Sequence, residues 1–275
     1  SPVKLKNLFR LILPARAPGR RYGYVAGGTE CGGVRIARWL HPREKPKSLT
    51  AAVAEEYKKY IAAGDFCIDI GAHSGDSTLP MAVAAGKSGL VLALEPNPFV
   101  YPVLEKNARM NRGLVNIIPV MAAAAGADAP LLFNYSDAGF CNGGGHAEIN
   151  AARHGHFYPL EVHGIDLAAE LRESFAGELA RLKFIKVDTE GGDLFVLQSL
   201  AEIIGRRRPH ILAEVYKHTS PDYRLQLLRF LQSKGYAVYK TRGDAQLKGE
   251  MLGEGDLMRW GHYDVFCMGE EQGAA

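Results

Sequence analysis

The stretch "FCIDIGAHSGDSTLPMA", Phe66–Ala82, decides the fold. A short apolar run leads into Gly71 and Gly75, and a helical pattern follows at once. Strand, tight turn and helix in that order open a βα unit, and such sheets bind ligands at the carboxyl ends of their strands. A dinucleotide turn, G-x-G-x-x-G, would place glycines where this chain has His73 and Asp76. His73 blocks close approach by a pyrophosphate, and Asp76 sets a carboxylate at the helix N-terminus, where it repels one. The G-x-x-x-x-G-K-[ST] phosphate loop is absent as well. The turn suits a ligand without phosphates.

Outward from this turn, apolar runs alternate with helical patterns. "GLVLALE", "NIIPVMA", "LKFIKVD" and "HILAEVY" read as further strands, and "YAVYK" and "HYDVFCMG" as a closing pair. Helices are expected from a Ser48 or Thr50 cap to about Ala63, and over Thr78–Ala85, Val100–Asn111, Leu194–Gly205 and Tyr223–Lys234. The expectation is an α/β doubly wound, Rossmann-like sheet of seven mostly parallel strands, the last antiparallel. Residues 126–165 break the rhythm between the third and fourth strands. They read as an irregular insert with glycines 143–145 and several histidines. The run Gly139–Gly145 reads as a lid that orders on acceptor binding. Residues 1–47, rich in Pro, Gly and Arg, read as an appendage with a short amphipathic helix at Lys4–Leu13 and an irregular remainder. The main domain then covers 48–275.

The composition excludes several classes. A net charge of +3 with no dense basic stripe gives no nucleic-acid footprint. No apolar run reaches the ~18 residues of a membrane span. The four cysteines, Cys31, Cys67, Cys141 and Cys267, are widely spaced, which argues against a zinc site or disulfide framework and for a reducing cytoplasm. The partner expected is a small-molecule acceptor, and the chain is compatible with a homo-oligomer.

S-adenosylmethionine fits such a turn: it has no phosphate but offers an ammonium, a carboxylate, a sulfonium and a ribose diol. Asp69 at the strand end can attract its cationic part, and Gly71 and Gly75 let its methionine moiety lie against backbone N–H groups. Glu95 closes the second strand, where a carboxylate can accept from both ribose hydroxyls.

"DIGAHSG", "EPNP" and "FIKVDTEGGD" together resemble the FkbM-type methyltransferases, a family with the class I S-adenosylmethionine-dependent fold. The resemblance spans roughly 48–269 and is sharpest at Lys186, Val187, Asp188, Glu190 and Gly191. The family commonly has Asn at His73 and Glu at Asp193. The resemblance implies O-methylation of a sugar or secondary-metabolite hydroxyl. It places Asp69, Gly71, His73, Ser74 and Gly75 on the methionine moiety, Glu95 with Pro96 and Asn97 at the ribose, and Met121 and Ala122 beside the adenine. It puts Asp188 and Glu190 at the transfer site.

Methyl transfer to a hydroxyl benefits from a base, and His146, His154, His156, Asp188 and Glu190 are the candidates. Acids as close as Asp188 and Glu190 need a positive partner: the cofactor ammonium, Lys186 or a metal. A Mg²⁺ site built from these two with Glu214 is the less favoured option. The competing readings are a Rossmann-type NAD(P) oxidoreductase and a non-catalytic, cofactor-binding regulatory protein.

Overall fold

Every residue of β3 (Phe66–Ile70) is buried, because helices cover both faces of the sheet it belongs to. Phe66, Ile68 and Ile70 pack into one layer with α4 (Leu167–Ser174), α5 (Asp193–Ser199), α6 (Ala201–Arg207) and α7 (Pro221–Ser233). Cys67 packs into the opposite layer with α1 (Ala51–Lys58) and α2 (Thr78–Ala85). The same alternation runs through β4 (Leu90–Leu94), β10 (Leu182–Val187) and β11 (His210–Val215). The period of two thus assigns each strand residue to a layer.

This architecture comes from a computed structural model, which describes residues 23–29, 31–41, 44, 49–135, 143–144 and 158–269. Its main sheet runs β12–β13–β11–β10–β3–β4–β5, where β5 is Ile117–Val120, β12 Val238–Lys240 and β13 Tyr263–Cys267. The strands β3, β4, β5, β10 and β11 are parallel; β13 inserts antiparallel between β11 and β12. The chain builds outward from β3 to β5, then returns to lay β10 on the other side of β3. That reversal opens a crevice beyond the ends of β3 and β10. The expected seven-stranded, doubly wound sheet with an antiparallel last strand is present. Among the described residues no helix is long and apolar enough to cross a membrane.

Three expectations are corrected. The flanks of the 126–165 insert are regular: β7 (Ala129–Tyr135) pairs antiparallel with β9 (Tyr158–Asp166) over its whole length, and β6 (Ala123–Ala125) lies parallel to β9. Pro130 and Pro159 had masked the alternation there. Most of Gly139–Gly145, the expected lid, and His146, His154 and His156 lie outside the described residues, as does Lys4–Leu13.

The N-terminal region is likewise more than an irregular appendage. β1 (Tyr24–Thr29) and β2 (Arg35–Trp39) form an antiparallel pair docked on α3 (Tyr101–Met110). Finally, helix limits shift. Thr50 caps α1 through Val53 N–H at 3.3 Å, but the helix ends at Lys58, and the Leu194–Gly205 helix divides at Leu200.

Candidate active site at the strand ends

The turn after β3 is locked from three sides. Gly71 has φ 78°, and a Cβ there would run into the carbonyl oxygen of Asp188. Its glycine is needed because β10 closes against it. Gly71 N–H and Ala72 N–H donate to Leu94 O, and Asp188 N–H donates to Ile70 O, so the ends of β3, β4 and β10 are stitched together. His73 follows with φ 50°, an uncommon conformation for a non-glycine residue.

That conformation aims the His73 N–H at Glu95 Oε2, 2.8 Å away, while Asn97 N–H donates to Glu95 Oε1 at 2.7 Å. Burial pushes the Glu95 carboxyl up to about 7; the two N–H donors and the Lys186 charge pull the other way. Its orientation is therefore fixed, and each oxygen keeps a second acceptor site.

At the end of β10, Lys186 lies between two acids. Its Nζ is 3.1 Å from Asp188 Oδ2 and 3.7 Å from Asp69 Oδ1, and it donates to Gly71 O at 3.3 Å. Burial opposes the ammonium charge, but Asp188 and Asp69 outweigh it and hold the lysine well above its usual value. Lys186 is thus the positive partner of Asp69 and Asp188, while Glu190 meets it only as one of the charges that oppose its raised carboxyl. Asp69 is fully buried and accepts from Thr78 Oγ1 at 2.6 Å, which ties it to the first turn of α2. Burial raises its carboxyl, against Lys186 and Thr78.

Glu190, at φ 54°, leads into Gly191. Its carboxyl rises to about 7, first through burial and then through the Asp188 charge, with Lys217, Lys186 and a Tyr216 hydrogen bond opposing. Asp193 braces this loop from beneath: its Oδ2 accepts from Thr189 Oγ1 and Gly191 N–H, and its Oδ1 from Glu214 N–H. Glu214 turns to His262, with Oε1 3.3 Å from Nε2, and burial beside the neighbouring acids raises its carboxyl to about 11. Among the described residues no group of three or more His, Cys, Asp or Glu is arranged to hold a metal.

These elements enclose a cavity of about 550 Å³. Of the expected residues, Gly71, His73, Glu95, Pro96, Asn97 and Ala122 line it, together with Asp188 and Glu190. Asp69, Ser74, Gly75 and Met121 do not: the first is fully buried, Ser74 is buried, and Met121 is exposed. Asp69 bears on the cavity from behind it, through its charge and through Lys186. Sequence reasoning missed Asp76 and Thr189 as wall residues, and with them the apolar wall of Leu131, Leu132, Phe133 and Phe195. Asp76 had served only as evidence against phosphates. Leu131 and Phe133 share one face of β7, but Pro130 and Pro159 masked that alternation in the sequence. Asp76, Glu95, Asp188 and Glu190 face the cavity against the single ammonium of Lys186, a donor set that favours a cationic ligand and disfavours a phosphorylated one.

The family model described as "Methyltransferase FkbM domain" matches residues 69–238. No curated protein matches the chain. Among solved structures, a methyltransferase FkbM from Methylobacillus flagellatus KT is 16% identical, with 78% of this chain and 52% of that chain covered and a TM-score of 0.46. This chain therefore spans about half the length of that one. Aeropyrum pernix fibrillarin, solved with natively bound S-adenosyl-L-methionine, is 13% identical, with 92% and 97% covered and a TM-score of 0.44. The precorrin-6y C5,15-methyltransferase of Geobacter metallireducens GS-15 is 13% identical, with 84% and 95% covered and a TM-score of 0.44.

Proposed function

The chain belongs to the FkbM methyltransferase family, and from that premise we propose that it is an S-adenosylmethionine-dependent O-methyltransferase acting on a hydroxyl of a sugar or secondary metabolite. The observation that carries the cofactor assignment is Glu95, held by His73 N–H and Asn97 N–H with acceptor capacity to spare at the end of the second parallel strand. In this reading Glu95 accepts from the ribose hydroxyls, Gly71 and His73 lie along the methionine moiety, and Ala122 flanks the adenine. When bound, S-adenosylmethionine supplies an electrophilic methyl group on its sulfonium.

The remaining work falls to the chain's own side chains. Asp188, aimed by Lys186, places negative charge at the mouth of the crevice, where the cationic end of the ligand seats. Glu190, with a carboxyl raised to about 7, takes the proton from the acceptor hydroxyl. A positioned base of this kind contributes typically ~10²–10⁴-fold. Alignment of acceptor oxygen, methyl carbon and sulfur contributes at best about 7–11 kcal/mol, and Leu131, Phe133 and the buried Val196 supply apolar lining to the cavity in which it occurs. The described cysteines, Cys31, Cys67 and Cys267, are free thiols, which supports a cytoplasmic setting.

The test is a methyl-transfer screen with labelled S-adenosylmethionine over hydroxylated sugars and natural products. Label appearing as an ether on an acceptor hydroxyl supports the proposal. Label confined to nitrogen or carbon acceptors would refute O-methylation.

A further inference from the structure

The family match begins at Asp69, yet residues well ahead of it reach the turn that holds Glu95. One buried amide makes the link. Asn107 on α3 accepts from Ala37 N–H through Oδ1 at 2.6 Å, and its Nδ2 donates both to Ala37 O at 3.1 Å and to Ser74 O at 2.7 Å. One helical turn further, Asn111 repeats the pattern on Arg35, accepting from its N–H and donating to its carbonyl, each at 2.8 Å. Two asparagines thus take the place of a neighbouring strand for β2, and the first also grips the turn itself.

Beyond that grip, Trp39 meets the His73 ring edge-on, with centroids 5.6 Å apart and planes at 68°. Glu44 brings Oε2 to 3.8 Å from His73 Nε2, and the Glu44 side chain is only 9% exposed. His73 is the residue with φ 50°, a conformation that costs about 1–3 kcal/mol and persists where surrounding structure over-determines it. Its N–H is also one of the two that orient Glu95.

We infer that β2 and Glu44 are part of the cofactor site, with Trp39 and Glu44 as positioning residues that hold His73 in its left-handed turn and so aim Glu95. This rests on the cofactor reading of Glu95 given above. It extends the site to a segment outside the matched region, and it makes Trp39 a reporter of whatever seats beside His73. The chain has two tryptophans. The other, Trp260, packs between Lys240, Arg259 and Tyr263; neither tryptophan lines the cavity, but Trp39 adjoins it through the His73 ring.

The experiment titrates S-adenosylhomocysteine into the full chain and into its Trp260→Phe and Trp39→Phe variants, following tryptophan emission beside calorimetry. The inference expects a saturable emission change in the wild type and in Trp260→Phe, at the calorimetric Kd, and none in Trp39→Phe. Trp39→Ala and Glu44→Gln should each weaken binding about tenfold, whereas Trp39→Phe, which keeps an edge-on ring, should restore binding to near wild type. Calorimetric binding with silent emission in Trp260→Phe overturns the inference. So does unchanged affinity in both Trp39→Ala and Glu44→Gln. A wild type that shows no calorimetric binding overturns instead the cofactor reading on which the inference stands.

Discussion

The carbonyl oxygen of Asp188 occupies the space that a Cβ on Gly71 would need. The turn of the first parallel strand and the end of β10 at Asp188 are therefore a single packed unit, and a side chain added at Gly71 must displace Asp188. Gly71→Ala should separate β3 from β10, with added strain from its φ of 78°. The expected loss is about 2–4 kcal/mol of stability, together with S-adenosylhomocysteine binding. Urea unfolding and calorimetry check both; wild-type stability in this variant would contradict the packing argument.

Glu95→Ala removes the proposed ribose acceptor and leaves the His73 and Asn97 N–H groups without their carboxylate. S-adenosylhomocysteine affinity should fall at least about tenfold, in line with the ~1.5–3 kcal/mol of a charged hydrogen bond. A folded variant with unchanged affinity in calorimetry would remove Glu95 from the cofactor site.

Lys186→Met leaves Asp69 and Asp188 facing each other without their cation. Losing one partner from a buried pair costs about 3–5 kcal/mol. The sign of its pH dependence follows from Asp69, whose carboxyl is already raised by burial and is restrained by Lys186. Without the lysine the folded state holds the proton more tightly, so the deficit should be small at pH 5 and grow toward pH 8. Urea midpoints at the two pH values decide it. An equal deficit at both would show that Lys186 does not govern this acid.

Glu190 should set the acidic limb of turnover. With its carboxyl raised to about 7 it is protonated below that pH and available as a base above it, so kcat should rise through about pH 7. Glu190→Gln should lose this limb and ~10²–10⁴ in kcat. Stability runs the other way: a carboxyl raised from 4.5 to about 7 favours the folded state at low pH, a contribution lost as pH rises through that window. A kcat profile of Glu190→Gln that keeps the wild-type limb would assign the proton to another group.

The parallel core was legible because strands covered on both faces read as unbroken apolar runs, as in "FCIDI" and "LVLAL". Glu95 was legible as a cavity residue because ligands of such sheets seat at the carboxyl ends of the parallel strands, where it stands. Asp69 was misplaced although the same alternation locates it. A period of two puts it beside Cys67, facing α1 and α2, and puts Lys186 on that face of the next strand. The docking of β2 was not legible, since the partners of its edge away from β1 are two asparagine side chains some seventy residues away. Nor was the true reason for Gly71, which packs against the Asp188 carbonyl of the neighbouring strand's end, distant in sequence.

The central claim is that the crevice holds a cationic, phosphate-free adenosyl cofactor. Calorimetric titration of the wild-type chain with S-adenosylhomocysteine and, in parallel, with NAD tests it most directly. Saturable, one-to-one binding of S-adenosylhomocysteine is expected, with thermal stabilisation of about 2.7 kcal/mol at a hundred times its Kd, and no binding of NAD. Binding of NAD without S-adenosylhomocysteine would contradict it.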